Sequence, residues 1–245
     1  MLRSIRHPSG LSIIALDGEI GKVHSFFFDD SSWTIRYLVV DTGRWLPGRK
    51  VLISPTSLGP PDWKTHMFPV TLTREQVRSS PDIDTDKPVS RQREVELRRH
   101  YHWAPYWGVG YGFELMQQQA AAADQAAVAV AEAKGDTHLR STREVRGYRI
   151  HATDAEIGHI EDFIVSDEEW IIRYLVADVG TWLAGRKVLI SPNWVRGISW
   201  DDREVWVDVT KAQVETSPPY NESESLSRRY ESQVHDVYGH PKYWE

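Results

Sequence analysis

Two stretches of the sequence decide the fold, because the second repeats the first. Residues 21–55 read GKVHSFFFDDSSWTIRYLVVDTGRWLPGRKVLISP, and residues 158–192 read GHIEDFIVSDEEWIIRYLVADVGTWLAGRKVLISP. Matching positions are 137 residues apart throughout. A repeat at a constant offset is typical of a duplicated structural unit. We therefore expect two copies of one domain.

The repeat continues outward from both stretches without an insertion or deletion, from Leu2-Arg3-Ser4 and Leu139-Arg140-Ser141 to Tyr106-Trp107 and Tyr243-Trp244. The segment between the copies is rich in alanine and glutamine, which favours a helix. A disordered spacer is the alternative, because the segment has few large apolar residues to bury. The predicted divisions are a first copy at 1–108, a linker at 109–137 and a second copy at 138–245.

Each copy contains the pattern of a β-hairpin. Residues 20–28 and 33–41 are rich in β-branched and aromatic side chains and flank a polar turn, and the second copy repeats this arrangement. Several short strands at close spacing predict a small barrel or sandwich. Capping-box patterns at Thr73-x-x-Gln76 and Thr210-x-x-Gln213 predict the starts of short helices. The predicted fold class is all-β, with two tandem small barrels, short accessory helices and an alanine-rich helical linker.

The composition of the 245 residues excludes several classes of function. The chain has no cysteine, which removes disulfide frameworks, thiolate nucleophiles and cysteine-based metal sites. A net charge of −6 argues against a general nucleic-acid binder. No apolar run approaches the length of about 18 to 20 residues that spans a bilayer, and the first residues lack the pattern of a secretory signal. We therefore expect a cytoplasmic protein without a transmembrane segment.

Charged residues shared by both copies are candidates for catalysis or for structure. An enzymatic hypothesis makes the shared aspartate a general base and the shared arginine an oxyanion or phosphate clamp. The structural hypothesis, which we favour, has the aspartate capping the loop at Gly43 or Gly180 while an arginine pairs with it or covers a tryptophan. No P-loop, dinucleotide-binding or nucleophile-elbow motif is present, so we expect no enzyme and no cofactor. The residues assigned structural roles are Arg36, Asp41, Arg49, Arg173, Asp178 and Arg186.

The ten histidines suggest metal binding or acid–base chemistry. None has a histidine at the equivalent position of the other copy, which excludes a duplicated histidine site. His100 and His102 are two residues apart but have no third ligand nearby in the sequence. We therefore predict no metal site.

Two groups of residues are candidates for interaction. The second face of the long hairpin strand is apolar and is expected to make a contact between the barrels; it comprises Leu38, Val40, Leu175, Ala177 and Val179. The aromatic segments that end each copy either fold back onto their own barrel or form a docking patch, since tryptophan and tyrosine are common anchors at interfaces. These aromatic residues are Trp103, Tyr106, Trp107, Tyr243 and Trp244.

The pattern shared by both copies resembles the PRC-barrel family. It consists of Arg-Tyr-Leu-Val, then Asp-x-Gly, then Trp-Leu-x-Gly-Arg-Lys-Val-Leu-Ile-Ser-Pro. That family includes the cytoplasmic domain of the photosynthetic reaction centre H subunit and the C-terminal domain of the ribosome maturation factor. The resemblance implies a small β-barrel that works as a binding or assembly module.

The expected function is a non-enzymatic scaffold or adaptor that binds a protein partner and self-associates as a homo-oligomer. One alternative is a small-molecule or stress-responsive sensor with its ligand between the barrels, which requires a lined cavity. A second alternative is an accessory protein of a photosynthetic or electron-transfer membrane complex. That alternative follows from the resemblance to the H subunit alone, and this chain lacks a membrane-spanning run.

Overall fold

The structure is a computed structural model that describes most of both copies. The described residues are 1–6, 8–62, 65–81, 89, 91–104, 106, 138–180 and 185–245. The predicted linker at 109–137 and the candidate interaction residue Trp107 lie outside these residues.

The chain forms two compact units, and neither is continuous in the sequence. Unit 1 consists of Met1–Pro8, Ser32–Thr34 and Thr142–Glu245, whereas unit 2 consists of Ser9–Ser31 and Ile35–Ser141. The units therefore differ from the copies predicted at 1–108 and 138–245. The difference arises because Met1–Pro8 and Ser32–Thr34 of the first copy belong to unit 1, whereas the start of the second copy, up to Ser141, belongs to unit 2.

Unit 2 contains a mostly antiparallel sheet centred on a long strand. The strands of this sheet run in the order β5-β4-β3-β2-β6, and β7 also pairs with β3. They are β2 (Ser12–Ala15), β3 (Gly18–Asp29), β4 (Thr34–Asp41), β5 (Lys50–Ile53), β6 (Met67–Pro69) and β7 (Leu139–Ser141). The β2–β6 pair is parallel.

Unit 1 contains the corresponding sheet and one further strand. Its order is β11-β10-β9-β8-β13-β12, and β1 also pairs with β9. The strands are β1 (Leu2–Ser4), β8 (Arg149–His151), β9 (Glu156–Ser166), β10 (Ile172–Asp178), β11 (Lys187–Ile190), β12 (Val195–Ser199) and β13 (Glu204–Val207). The described pairings of both sheets trace open paths, so the predicted closure into barrels is not among them.

Short helices accompany both sheets. The fold is therefore mostly β, whereas the fold class predicted from the sequence is all-β with short accessory helices. Within the described residues, the helices are α1 (Arg74–Arg78), α2 (Arg91–Tyr101), α3 (Thr142–Val145), α4 (Lys211–Thr216) and α5 (Arg228–Tyr238), with 3₁₀ turns at Pro55–Ser57 and Pro192–Trp194. The predicted starts of α1 and α4 are confirmed. Thr73 and Gln76, like Thr210 and Gln213, form complete capping boxes.

Strands β1 and β7 are exchanged between the copies. β1 comes from the first copy but pairs with β9, with Leu2 opposite Ser166 and Ser4 opposite Ile164. β7 comes from the second copy but pairs with β3, with Leu139 opposite Asp29. Ser166 and Asp29 are equivalent positions of the repeat, so the two strands lie in the same register on equivalent edges.

The length of β9 allows this arrangement. β10 pairs with one edge of β9 from Val165 to His159. The other edge is shared, because β8 pairs with the part around Gly158 and β1 with the part from Ile164 to Ser166.

Gly158 allows β9 and β10 to approach each other closely. A Cβ atom on Gly158 would lie 2.0 Å from the carbonyl oxygen of Asp178 in β10, so only glycine permits this approach.

Candidate functional site

The apolar face predicted to join the barrels is interior to the protein. Its residues are each 0% exposed, namely Leu38, Val40, Leu175, Ala177 and Val179. Apolar side chains of this kind on both faces of a strand indicate that the strand is covered on both sides. In this conformation the face is therefore not offered to a separate protein.

The shared aspartates cap the loop that follows the hairpin. Asp41 Oδ1 accepts a hydrogen bond from the Gly43 amide at 2.8 Å, and Asp178 Oδ1 accepts one from the Gly180 amide at 2.8 Å. Such a side-chain-to-backbone bond two residues on is the usual Asx turn. The loop contact expected from the sequence is therefore present in both copies.

The shared arginines after this loop, Arg49 and Arg186, cap helix ends. This role differs from the predicted one, in which an arginine pairs with the shared aspartate or covers a tryptophan. Arg186 Nη1 donates to the carbonyl oxygen of Glu215 at 2.9 Å, and its Nη2 donates to that of Ser217. Arg49 makes the same two contacts with Arg78 and Ser80. The last carbonyls of a helix have no partner within the helix and favour a cation. The planar guanidinium fork satisfies two of them at once.

The other shared arginines stack on tyrosines of the aromatic tails. The guanidinium of Arg36 lies 3.7 Å from the ring centroid of Tyr106, and that of Arg173 lies 4.3 Å from the ring centroid of Tyr243. Both are cation–π contacts. The sequence had suggested a tryptophan as the aromatic partner, but the tyrosine is the residue that the repeat places there in both copies.

Each stacked tyrosine also binds a buried glutamate. The Tyr106 hydroxyl donates to Glu94 Oε1 at 2.7 Å, and the Tyr243 hydroxyl donates to Glu231 Oε2 at 2.7 Å. Glu94 is 0% exposed and Glu231 is 3% exposed. Burial and the hydrogen bond to Glu231 raise the pKa of Tyr243 to about 12, so its hydroxyl remains a donor at neutral pH. In both copies this tyrosine therefore folds back onto its own unit.

The tails also explain two tryptophans that have no tryptophan at the equivalent position. In unit 2, Trp103 Nε1 donates to Ser57 Oγ at 2.7 Å. In unit 1 the equivalent positions are His240 and Trp194, whose rings stack with centroids 4.8 Å apart. The tryptophan of this contact therefore comes from the tail in unit 2, as Trp103, and from the 3₁₀ turn in unit 1, as Trp194. A position-by-position comparison of the copies misses this relation, because the two positions in contact are 46 residues apart in each copy.

An open cleft in unit 2 lies beside Trp45. The cleft has a volume of about 610 Å³. The guanidinium of Arg74 lies 4.7 Å from the Trp45 ring centroid, and Arg78 lies 5.9 Å from it. Lys22 and Arg44 are exposed. The lining residues are Glu19, Ile20, Gly21, Lys22, Val23, His24, Asp41, Thr42, Gly43, Arg44 and Trp45.

The same corner of unit 1 brings together three possible metal ligands. His159, Glu161 and Asp178 each offer one ligand atom, and these atoms lie within 4.8 Å of one another. This group was not predicted from the sequence, although His159 and Glu161 alternate along one strand and Asp178 pairs with His159. Glu161 already accepts a hydrogen bond from Arg6 and lies 3.7 Å from Lys187. Arg6 and Lys187 therefore neutralise part of the negative charge that would hold a metal ion at this position.

A further cavity in unit 1 lies beside the aromatic tail. It has a volume of about 460 Å³ and is lined by Tyr243 and Trp244. Arg228 lies over both rings, 4.2 Å from the centroid of Trp244. Since Arg228 also pairs with Glu231 at 3.3 Å, its charge is already used within the unit.

Among the helices that the structure describes, none has the length and the apolar character needed to cross a bilayer.

Comparison with known proteins supports the fold of the second copy. No curated protein matches the chain. The family model of the PRC-barrel domain matches residues 139–214, which include all strands from β7 to β13. The match contains the repeated stretch 158–192 on which the resemblance was based. Residues 139–214 are therefore similar to the PRC-barrel domain.

Proposed function

We propose that the first copy is a PRC-barrel domain as well, and that the protein is a non-enzymatic tandem scaffold that binds a protein partner and self-associates. Residues 21–55 and 158–192 are identical at 21 of 35 positions, which supports the second domain. Equivalent side chains also make equivalent contacts in both copies, from the helix-capping Arg49 and Arg186 to the stacked Tyr106 and Tyr243.

A binding role is favoured over catalysis by how the shared charged residues are used. Asp41 and Asp178, the candidate general bases, accept backbone hydrogen bonds within their own loops. Arg49 and Arg186, the candidate clamps, bind the carbonyls of helix ends. A catalytic site needs titratable groups that converge on a common substrate position, and these groups are directed at the backbone instead.

The observation that carries the proposal is the cleft beside Trp45. Tryptophan and arginine are the residues most enriched among interface hot spots. The half-buried ring of Trp45 is supported on one face by Arg74, and Arg44 lies exposed next to it. An extended segment of a partner protein is the occupant that this combination of ring, cation and open cleft suits.

The test compares two tryptophan variants of the full chain. Trp45→Ala should weaken binding of a captured and purified partner by about 2 kcal/mol or more, which is roughly 30-fold in Kd. Trp206→Ala is the matched control, because Trp206 is 38% exposed and is not among the residues that line this cleft. Equal Kd values for the wild type and Trp45→Ala, with Tm unchanged, would contradict the proposal.

The volume of the cleft supports a small-molecule sensor as a second candidate. About 610 Å³ lies within the range of roughly 300 to 1,000 Å³ typical of small-ligand sites. A compound that raises Tm of the wild type but not of Trp45→Ala would favour this candidate over a protein partner.

A further inference from the structure

The edge of β9 that receives β1 has the features of a peptide-binding site. Besides the pairing of residues 2–4, the Asp167 amide donates to the Met1 carbonyl at 3.0 Å, and the Ile5 amide donates to the Phe163 carbonyl at 2.9 Å. A short segment therefore adds a strand to a sheet edge through backbone hydrogen bonds. This is β-augmentation, a common mode of peptide recognition.

Side-chain charges make the same edge selective for a basic strand. Arg3 Nε lies 2.7 Å from Asp167 Oδ2, and Arg6 forms an ion pair with Glu161. The edge supplies the acidic groups and the strand supplies the basic ones. The register of the strand is thus fixed by side chains as well as by the backbone.

The contacts do not require the strand and the edge to belong to the same copy. β1 belongs to the first copy yet completes the sheet of the second, and β7 does the converse with the same Leu-Arg-Ser sequence in the same register. Arg140 of β7 even repeats the contact of Arg3, since it lies 3.4 Å from Asp30. Each edge is therefore completed by a strand that comes from outside its own copy.

We infer that the β9 edge also binds the strand Leu2–Ser4 of a second copy of this chain. Two chains that trade this strand re-form every hydrogen bond and ion pair between β1 and β9. Such exchange of an identical element is a low-cost route to a dimer. The strand of the same chain has the advantage of a high effective concentration, so the two-chain form increases with protein concentration when chains refold together.

The absence of cysteine allows a direct test with full-length chains. One chain carries Leu2→Cys and a differently tagged chain carries Ser166→Cys, and the two are unfolded, mixed, refolded at high concentration and oxidised. We expect about tenfold more mixed disulfide than with Ser223→Cys, an exposed control position, in place of Leu2→Cys. Adding Arg3→Glu and Arg6→Glu to the Leu2→Cys chain should return the yield to that of the control. Equal yields from Leu2→Cys and Ser223→Cys would overturn the inference.

A second measurement covers the case in which Ser166→Cys impairs folding. Wild-type chains refolded at increasing concentration should give a growing dimer fraction by light scattering, and a monomer at every concentration would overturn the inference. This inference rests on the self-association in the proposed function and specifies its route. The two proposals can be distinguished, because a dimer without an excess of mixed disulfide would overturn strand exchange but not self-association, and partner binding at Trp45 is read separately from Kd.

Discussion

Equivalent aspartates of the two copies differ in their electrostatic environment. Asp167 and Asp30 both face an arginine of the exchanged strand, Arg3 at 2.7 Å and Arg140 at 3.4 Å. Burial raises the pKa of Asp167, but hydrogen bonds from the Met1 amine and Arg3 outweigh it and hold the pKa below the usual 3.8. Burial dominates at Asp30 and raises its pKa above 3.8 despite Arg140.

Opposite pKa shifts predict opposite pH dependence. The lowered pKa of Asp167 means that its carboxylate stabilises the fold above pH 3.8, and that this contribution is lost as the pH falls through the folded-state pKa. Asp167→Asn should lower the free energy of unfolding at pH 7 by about 1 kcal/mol and weaken the acid-induced loss of stability. Urea unfolding between pH 3 and pH 7 measures both effects.

Asp30→Asn is the matched control. Because the pKa of Asp30 is raised, its contribution is full below pH 3.8 and decreases as the pH rises through the folded-state value. Asparagine cannot ionise, so the stability of Asp30→Asn should not show this decrease with pH. The substitution should also lower the free energy of unfolding at pH 7 by less than Asp167→Asn does. Equal changes in the pH slope of stability in the two variants would show that the two environments do not differ as described.

At the scale of single residues, the sequence identified structurally important residues more successfully than it identified their contact partners. The Asp41 loop contact could be predicted because an Asx turn is local in sequence. The partners of Arg49 and Arg36 could not, because the helix-end carbonyl of Ser80 and the ring of Tyr106 come from distant parts of the chain. The Trp45 cleft was missed for the same reason, since the repeat indicates a tryptophan in this loop but not an open space beside it.

Among the elements, the hairpin strands depend on one glycine position. Gly158 adopts φ +140°, and a Cβ there would lie 2.0 Å from the Asp178 carbonyl oxygen. Gly158→Ala should therefore force β9 and β10 apart and lower the free energy of unfolding by about 3 kcal/mol. Chemical unfolding of the purified variant measures this loss.

Gly197→Ala provides the comparison, because Gly197 also lies in a strand but a Cβ atom there would have no heavy atom within 4 Å. We expect it to change stability by no more than about 0.5 kcal/mol. A similar, small effect of both substitutions would show that the strands tolerate separation at Gly158.

Hairpins and helix starts could be predicted because their signals are local. The predicted strand segments 20–28 and 33–41 overlap the observed β3 and β4 almost completely. The additional strand β12 was not predicted. Its counterpart in the first copy contains Pro60 and Pro61, which cannot donate ladder hydrogen bonds, and only isolated bridges are described there.

At the scale of the whole molecule, the exchange of β1 and β7 is the feature that the sequence conceals. Both strands read Leu-Arg-Ser, and the positions opposite them are equivalent. The repeat therefore predicts which element of the domain pairs with which, but it cannot indicate which copy supplies the strand. Only the three-dimensional path of the chain distinguishes the exchanged from the unexchanged arrangement.

Disulfide formation in two double variants at low protein concentration tests this exchange most directly. Leu2 and Ser166 face each other next to the hydrogen bond from Asp167 to Met1, at a type of cross-strand position where Cβ atoms approach closely enough for a disulfide. The exchanged fold predicts that Leu2→Cys/Ser166→Cys forms an intrachain disulfide and that Leu139→Cys/Ser166→Cys does not. A disulfide in the second variant and none in the first would contradict it.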